Sequence, residues 1–404
     1  MWNLFINPLQ QIIMTINKKE IAGLTFAILI FLINPILGIF VTILISLSYK
    51  SEFCIVGLIV MLSTFLGLIN TTKFLESDII GYSNIFELSK KQSFIKYIKE
   101  IGKEPLYYSF MYLFGKVLNT NFKFFLLIQT FIAYFFYLYS IFRFQNKLAL
   151  NRLSVLFSLG LATLFFELFS LSAHIMRQFL AASLLLYYIV IKIFYDQNKW
   201  WYLISVIFIH STTILFVPLI FFSFLKKKIN TNRIFLVILI SGTIIFLLPI
   251  ISILIVDKMG IGIFTYIFYK SLEPNFDDGV QVSKIAIFIN IFLFIYSLTR
   301  NYIIKIYNVH EIHFNHIIIF LTIFIIILIN QPLLAYRFSF YSYFILPMIM
   351  PIVLSRKTLG SFFPYLGTII IAFMIFRFMF KLENGVFTYA SLSNILSSTI
   401  FNYL

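Results

Sequence analysis

Long apolar runs constrain this chain more than anything else in it. They fall roughly at 21–48, 53–70, 124–142, 153–172, 178–195, 200–225, 233–256, 284–299, 316–331, 338–355 and 361–380. A helix needs about 20 apolar residues to cross the hydrocarbon core of a bilayer, and most of these runs come close to that length or exceed it. Only 11% of the 404 residues are charged and 61% are hydrophobic, whereas a soluble domain carries about 25% charged residues. Such a chain cannot cover its own surface in water. The pattern predicts an all-α polytopic integral membrane protein, one transmembrane domain over 1–404, with about 11 to 13 transmembrane helices. It excludes a cytosolic enzyme, a secreted disulfide scaffold and a disordered chain. Cys54 is the sole cysteine, so no intrachain disulfide can form. Met1 to Asn17 lacks the pattern of a cleavable signal peptide and is mildly amphipathic. No P-loop, no GxGxxG and no polar block large enough for an ATPase domain is present, and no nucleic-acid partner is expected.

The formal net charge is +16. In a membrane protein that excess first marks cytoplasmic loops, and only second an anionic ligand. The loops with Arg143, Lys147 and Arg152, with Lys226, Lys227, Lys228 and Arg233, with Arg300 and Lys305, and with Arg356 and Lys357 read as cytoplasmic. By alternation, the turn His174 to Gln178, the loop 257–283 and the turn 331–337 face the other side, which in a bacterium is the periplasm or the outside. The stretch 71–119 is then a first periplasmic loop. Its amphipathic run Leu106 to Leu118 suits a helix lying in the membrane interface. The loop 257–283 is the second. Asn34-Pro35 either kinks one span or divides two short ones. Trp200 to Leu225 has lysines at both ends and His210-Ser211-Thr212-Thr213 in its middle, which suggests two half-helices meeting near His210. One long tilted span is the alternative.

Charge on the outer side is the informative quantity. Arg177, in Ser172-Ala173-His174-Ile175-Met176-Arg177-Gln178, stands at the start of a helix, where a cation opposes the dipole unless an anion is also held there. Arg337 repeats the situation beside Tyr336, Tyr341 and Tyr343. The plain alternative for both is a snorkelling arginine; Arg177 could also pair with Glu167. His210 could donate to an anion, move a proton, or tie two half-helices together. Of the outer carboxylates (Glu76, Asp78, Glu87, Glu100, Glu104, Glu273, Asp277 and Asp278), Asp78 stands out for its closeness to a span. Glu104 stands out because Glu104-Pro105 opens the amphipathic run, and either could deprotonate a hydroxyl. His310, Glu311, His313 and His316 lack the HExxH spacing and read as part of a cytoplasmic loop, so no metal site is expected.

The stretch HIMRQFLAASLLLYYIVIKIFYDQNKWWYLISVIFIHSTTILFVPL resembles the signature region of EpsG-type O-antigen and exopolysaccharide polymerases, the Wzy group. Arg177, Gln178 and His210 fall on its pattern, as do Asp78 and Tyr82, Glu104 and Pro105 upstream, and Tyr336 and Arg337 downstream. The Ser-Thr-Thr after His210 fits only approximately. The resemblance implies a GT-C-like, metal-independent glycosyltransferase without cofactor, sitting in the inner membrane with its site facing the periplasm. Its donor and acceptor would be undecaprenyl-diphosphate-linked oligosaccharides, with the growing glycan moved to the non-reducing end of another repeat. The bilayer surrounds it, and a chain-length regulator is an admissible partner. On this resemblance Arg177, Arg337 and Gln178 would bind the diphosphate. Asp78, Glu104 and His210 would serve catalysis, and Tyr82, Tyr336 and Tyr341 would line the substrate site. A flippase for the same lipid-linked sugars and an O-antigen ligase-like transferase are the competing readings.

Overall fold

The computed structural model describes residues 18–49, 51–76, 78–102, 104–229, 243, 283–304, 308–328, 332–354, 362–385 and 388–400. The run 233–256, apart from residue 243, and the loop 257–283 up to residue 282 lie outside the described residues. So do Met1 to Asn17 and the charged residues Arg233, Glu273, Asp277, Asp278, Lys305, Arg356 and Lys357. Among the described residues every regular element is helical. In chain order these are α1 Lys18–Ile33, α2 Pro35–Ser48, α3 Glu52–Thr71, α4 Asp78–Lys91, α5 Phe94–Ile101 and α6 Pro105–Tyr112, then α7 Phe122–Lys147, α8 Arg152–Leu164, α9 Phe166–His174, α10 Met176–Tyr195, α11 Trp200–Ile209 and α12 Val217–Phe221. After them come α13 Lys284–Leu298, α14 Val309–Ile327, α15 Pro332–Val353, α16 Phe362–Asn384 and α17 Leu392–Ser397. Six helices among the described residues are long and apolar enough to cross a membrane, seven if α8 and α9, bent by 52°, form one span. The chain is an all-α polytopic membrane protein.

It divides into two compact units. One holds the described residues up to Ile214 and those from Pro347 onward; the other runs from Leu215 to Leu346.

In the first unit Asn34 divides two helices rather than kinking one. Its Oδ1 accepts from the N–H groups of Ile36 (3.0 Å) and Leu37 (3.1 Å), and Pro35 supplies the fixed φ of a first helical turn. Its Nδ2 donates to the carbonyl of Leu396 in α17 at 3.0 Å. At 1.5 Å per residue, α1 and α2 are only about 24 and 21 Å long, short of the roughly 30 Å core. They fold back on each other so closely that a Cβ on Gly38 would meet Phe31 Cα at 2.4 Å.

The spans behind the site are fastened by polar side chains and close approach, since lipid gives no hydrophobic drive between helices. A Cβ on Gly67 of α3 would stand 2.9 Å from the Leu127 carbonyl of α7. Asn70 Nδ2 donates to Thr130 on α7 (3.1 Å) and Ser172 on α9 (2.8 Å). Pro351 has no N–H to give the carbonyl of Pro347 one turn earlier. Ser158 Oγ of α8 donates to that carbonyl instead, at 2.6 Å, and itself accepts from Gln145. Helix α11 spans ten residues and stops at Ile209; His210 is extended (φ −154°, ψ 113°) and a 3-10 turn follows over Ser211–Phe216. The interruption expected at His210 is therefore present.

In the second unit, Asn290 of α13 bonds Ser339 (3.3 Å) and Ser342 (2.5 Å) of α15. The histidines expected in a loop lie instead within α14. His313 Nε2 donates to the Leu219 carbonyl (2.9 Å) and His316 Nδ1 to that of Leu225 (2.7 Å). They satisfy carbonyls in the last residues of the short α12 and in the 3-10 turn Ser223–Lys226 after it, where no further helical turn absorbs them.

Candidate active site

Four chain segments of the first unit supply the site. The bend after α9 supplies the cation. Ile175 (φ −103°, ψ 53°) interrupts the helix, so α10 begins afresh at Met176 and Arg177 stands in its first turn. Helix α4 follows the exit from α3 and brings Asp78 at its exposed start and Tyr82 one turn later, buried. Spacing of i, i+4 puts both on one face. Glu104 precedes α6 and has a left-handed backbone (φ 48°, ψ 58°), unusual for a residue with a Cβ and costing about 1–2 kcal/mol. Pro105 starts the helix immediately after it. The break after α11 delivers His210.

These segments meet on one carboxylate. Glu104 Oε2 accepts from Arg177 Nη1 in a buried ion pair, and Oε1 accepts from His210 Nδ1 at 2.5 Å. Arg177 Nε donates to the Tyr82 hydroxyl at 3.1 Å. The guanidinium also lies 5.7 Å from the ring centres of both Tyr82 and Tyr108. The Glu104 side chain is 8% exposed, against 20% for Arg177 and 11% for His210. Burial pushes the Glu104 carboxyl up, but the His210 hydrogen bond and the Arg177 charge outweigh it and hold the group below the usual carboxylate range. Glu104 is thus ionised and occupied at both oxygens. Burial raises the Tyr82 hydroxyl and lifts that of Tyr108 to about 12, so both remain protonated donors. His210 Nε2 is buried and has no hydrogen-bond partner among the described residues. In the neutral tautomer that directs Nδ1–H at the carboxylate, Nε2 carries the lone pair.

Of the residues picked from sequence, Asp78, Tyr82, Glu104, Arg177 and His210 converge here. Gln178 is buried in the wall of α10. Tyr336, Arg337 and Tyr341 lie in the second unit, on α15: Tyr336 and Arg337 are half-buried, and Tyr341 is buried with its ring 4.6 Å from that of Phe216. Glu167, the alternative partner for Arg177, pairs with Arg377 of α16 (Nη1 to Oε2, 2.6 Å). Sequence reasoning missed Tyr108, whose one signal was its place a turn after Glu104-Pro105. It also missed Lys73 and His174, which touch each other beside the site.

Fold and site together define a polytopic membrane protein with a buried arginine–carboxylate–histidine cluster on a short helical excursion between spans. The EpsG family model matches residues 53–391. The chain belongs to the EpsG family. No curated protein and no solved structure matches it.

Proposed function

We propose that this protein is a surface-polysaccharide polymerase, a metal-independent GT-C-type glycosyltransferase of the bacterial inner membrane with its site facing the periplasm. It moves the growing glycan from undecaprenyl diphosphate to the non-reducing end of another lipid-linked repeat. Membership of the EpsG family supports a polymerase-type activity. The observation that carries the mechanism is the double engagement of Glu104 by Arg177 and His210.

The chemistry follows from that arrangement. An acceptor hydroxyl attacks the anomeric carbon of the donor sugar, and a new C–O bond forms. The bond from that carbon to the diphosphate oxygen breaks, and its electron pair stays on the diphosphate. Arg177, fixed by Glu104 and Tyr82, meets the growing charge in a poorly hydrated site. The acceptor proton passes to His210 Nε2, whose imidazolium the Glu104 carboxylate then stabilises. Glu104, with both oxygens occupied, orients these groups and does not itself take the proton. Asp78 is exposed at the start of α4, and its role in this reading is to bind sugar hydroxyls rather than to take the proton. Attack on one face with departure from the other inverts the anomeric centre.

The test is the length of surface glycan in cells carrying single substitutions. Arg177→Ala and His210→Gln should leave single repeats attached and abolish longer chains. A ladder of normal length from both variants would overturn the reading.

A further inference from the structure

A second basic pair lies beside the site and takes no part in the steps above. Lys73, just beyond the end of α3, is buried, and its Nζ touches Nε2 of His174, the last residue of α9. The ring of Tyr389 lies 5.2 Å from the ammonium. Glu76 acts on it from further away, and its Oε1 accepts from the Thr388 N–H at 2.7 Å. With the lysine charged, its ammonium donates a hydrogen bond to Nε2, and the imidazole is neutral with hydrogen on Nδ1. The pair then carries one positive charge. Placing a cation in the interior against another basic group is costly, and costs of this kind are typical of functional sites.

Position says which function. The contact joins the same two chain segments as the contact between Tyr82 and Arg177: residues 73–82 on one side and 174–177 on the other. His174 and Arg177 are three positions apart, so their Cα atoms lie within about 11 Å of each other. Both flank the fresh N-terminus of α10, the end at which the helix dipole favours an anion. Lys73, touching His174, thus sets a second cationic group on the segment that carries Arg177, and two cationic groups suit an anion with two phosphoryl groups better than one with a single group.

We propose that Lys73, held in place by His174, binds the second phosphoryl group of a lipid-linked diphosphate whose first is met by Arg177. This deepens the polymerase reading and rests on it. Lys73 is a binding residue; His174 is a positioning residue acting through it.

The experiment compares binding of undecaprenyl diphosphate and undecaprenyl monophosphate to the purified full chain in nanodiscs, with phosphatidylglycerol as competitor. The wild type should prefer the diphosphate. Lys73→Met should lose about 10- to 100-fold in diphosphate affinity, the worth of one charge-assisted hydrogen bond, and leave monophosphate binding unchanged. Lys73→Arg should keep the preference. His174→Gln, whose side-chain oxygen can replace Nε2 as acceptor, should keep it too, and His174→Leu should lose it. A Lys73→Met protein that retains the preference would overturn the proposal. So would phosphatidylglycerol displacing the diphosphate from wild type but not from Lys73→Met, since the pair would then serve a bulk lipid headgroup. If Lys73→Met does not fold, the two His174 variants decide the matter by the same criterion. Binding is read without turnover, so a wild type that prefers diphosphate yet couples no repeats would sink the polymerase reading alone.

Discussion

Replacing Glu104 by Gln disconnects two functional groups with one change, and its cost can be worked from the geometry. The carboxylate is 8% exposed and serves Arg177 through Oε2 and His210 through Oε1. Glutamine keeps one acceptor oxygen, so it can satisfy one partner and turns an amide N–H₂ toward the other. Two unit charges about 4 Å apart at an effective dielectric of about 20 attract by roughly 4 kcal/mol. Removing one partner of a buried pair costs about 3–5 kcal/mol, because the other charge is left uncompensated. The amide recovers part of this through its remaining hydrogen bond, so a stability loss of about 2–4 kcal/mol is expected. Turnover should fall further. Loss of an oriented general base alone is worth about 10²–10⁴-fold, and Arg177 also loses its anchor. The assays are the initial rate of repeat coupling in nanodiscs and thermal unfolding of the same sample. A double-mutant cycle of Glu104→Gln with Arg177→Met should show a coupling of about 1–3 kcal/mol in stability. Turnover within about threefold of wild type, together with an additive cycle, would refute the idea that Glu104 organises the site.

Three further outcomes are expected. Arg177→Lys keeps the charge but cannot donate to Tyr82 and Glu104 from a planar fork, so coupling should fall about 10²-fold with little change in unfolding temperature. Asn34→Ala removes the acceptor for two N–H groups and the bond to Leu396, and should lower stability by about 1–2 kcal/mol in denaturant titration without changing donor affinity. Stability should also depend on pH in two windows. Burial depresses the Lys73 ammonium from 10.5 to about 7, so the unfolded chain binds more protons between those values and stability rises with pH across that interval. Glu104 is held below its ordinary value, so its stabilisation is complete above the usual carboxylate range and is lost as pH falls through the depressed value. Lys73→Met should remove the first dependence and Glu104→Gln the second.

Most of the cluster could be read from the sequence because each member breaks a local rule. Arg177 opposes a helix dipole, Glu104 precedes a proline at a helix start, and His210 interrupts an apolar run. What the sequence could not supply was the pairing. Glu104 and Arg177 are 73 residues apart and His210 a further 33, and nothing local distinguishes Glu104 from Glu167 as the partner of Arg177. Glu167 went to Arg377, a residue 210 positions away whose place next to α9 depends on the packing of α16. Lys73 escaped notice because a lysine just past a span reads as an ordinary interfacial charge; only burial against His174 marks it. His313 and His316 misled in the opposite sense, since their spacing gave no hint of the carbonyls of Leu219 and Leu225 that they satisfy.

The most direct measurement incubates the purified protein in nanodiscs with lipid-linked repeat units as the sole substrate and separates the products by size. Dimers and longer oligomers on the carrier are expected, with undecaprenyl diphosphate released in equal number to the linkages formed, and none of either from His210→Gln. Repeats that cross the bilayer unjoined, or that couple only when a different acceptor is added, would contradict the polymerase reading.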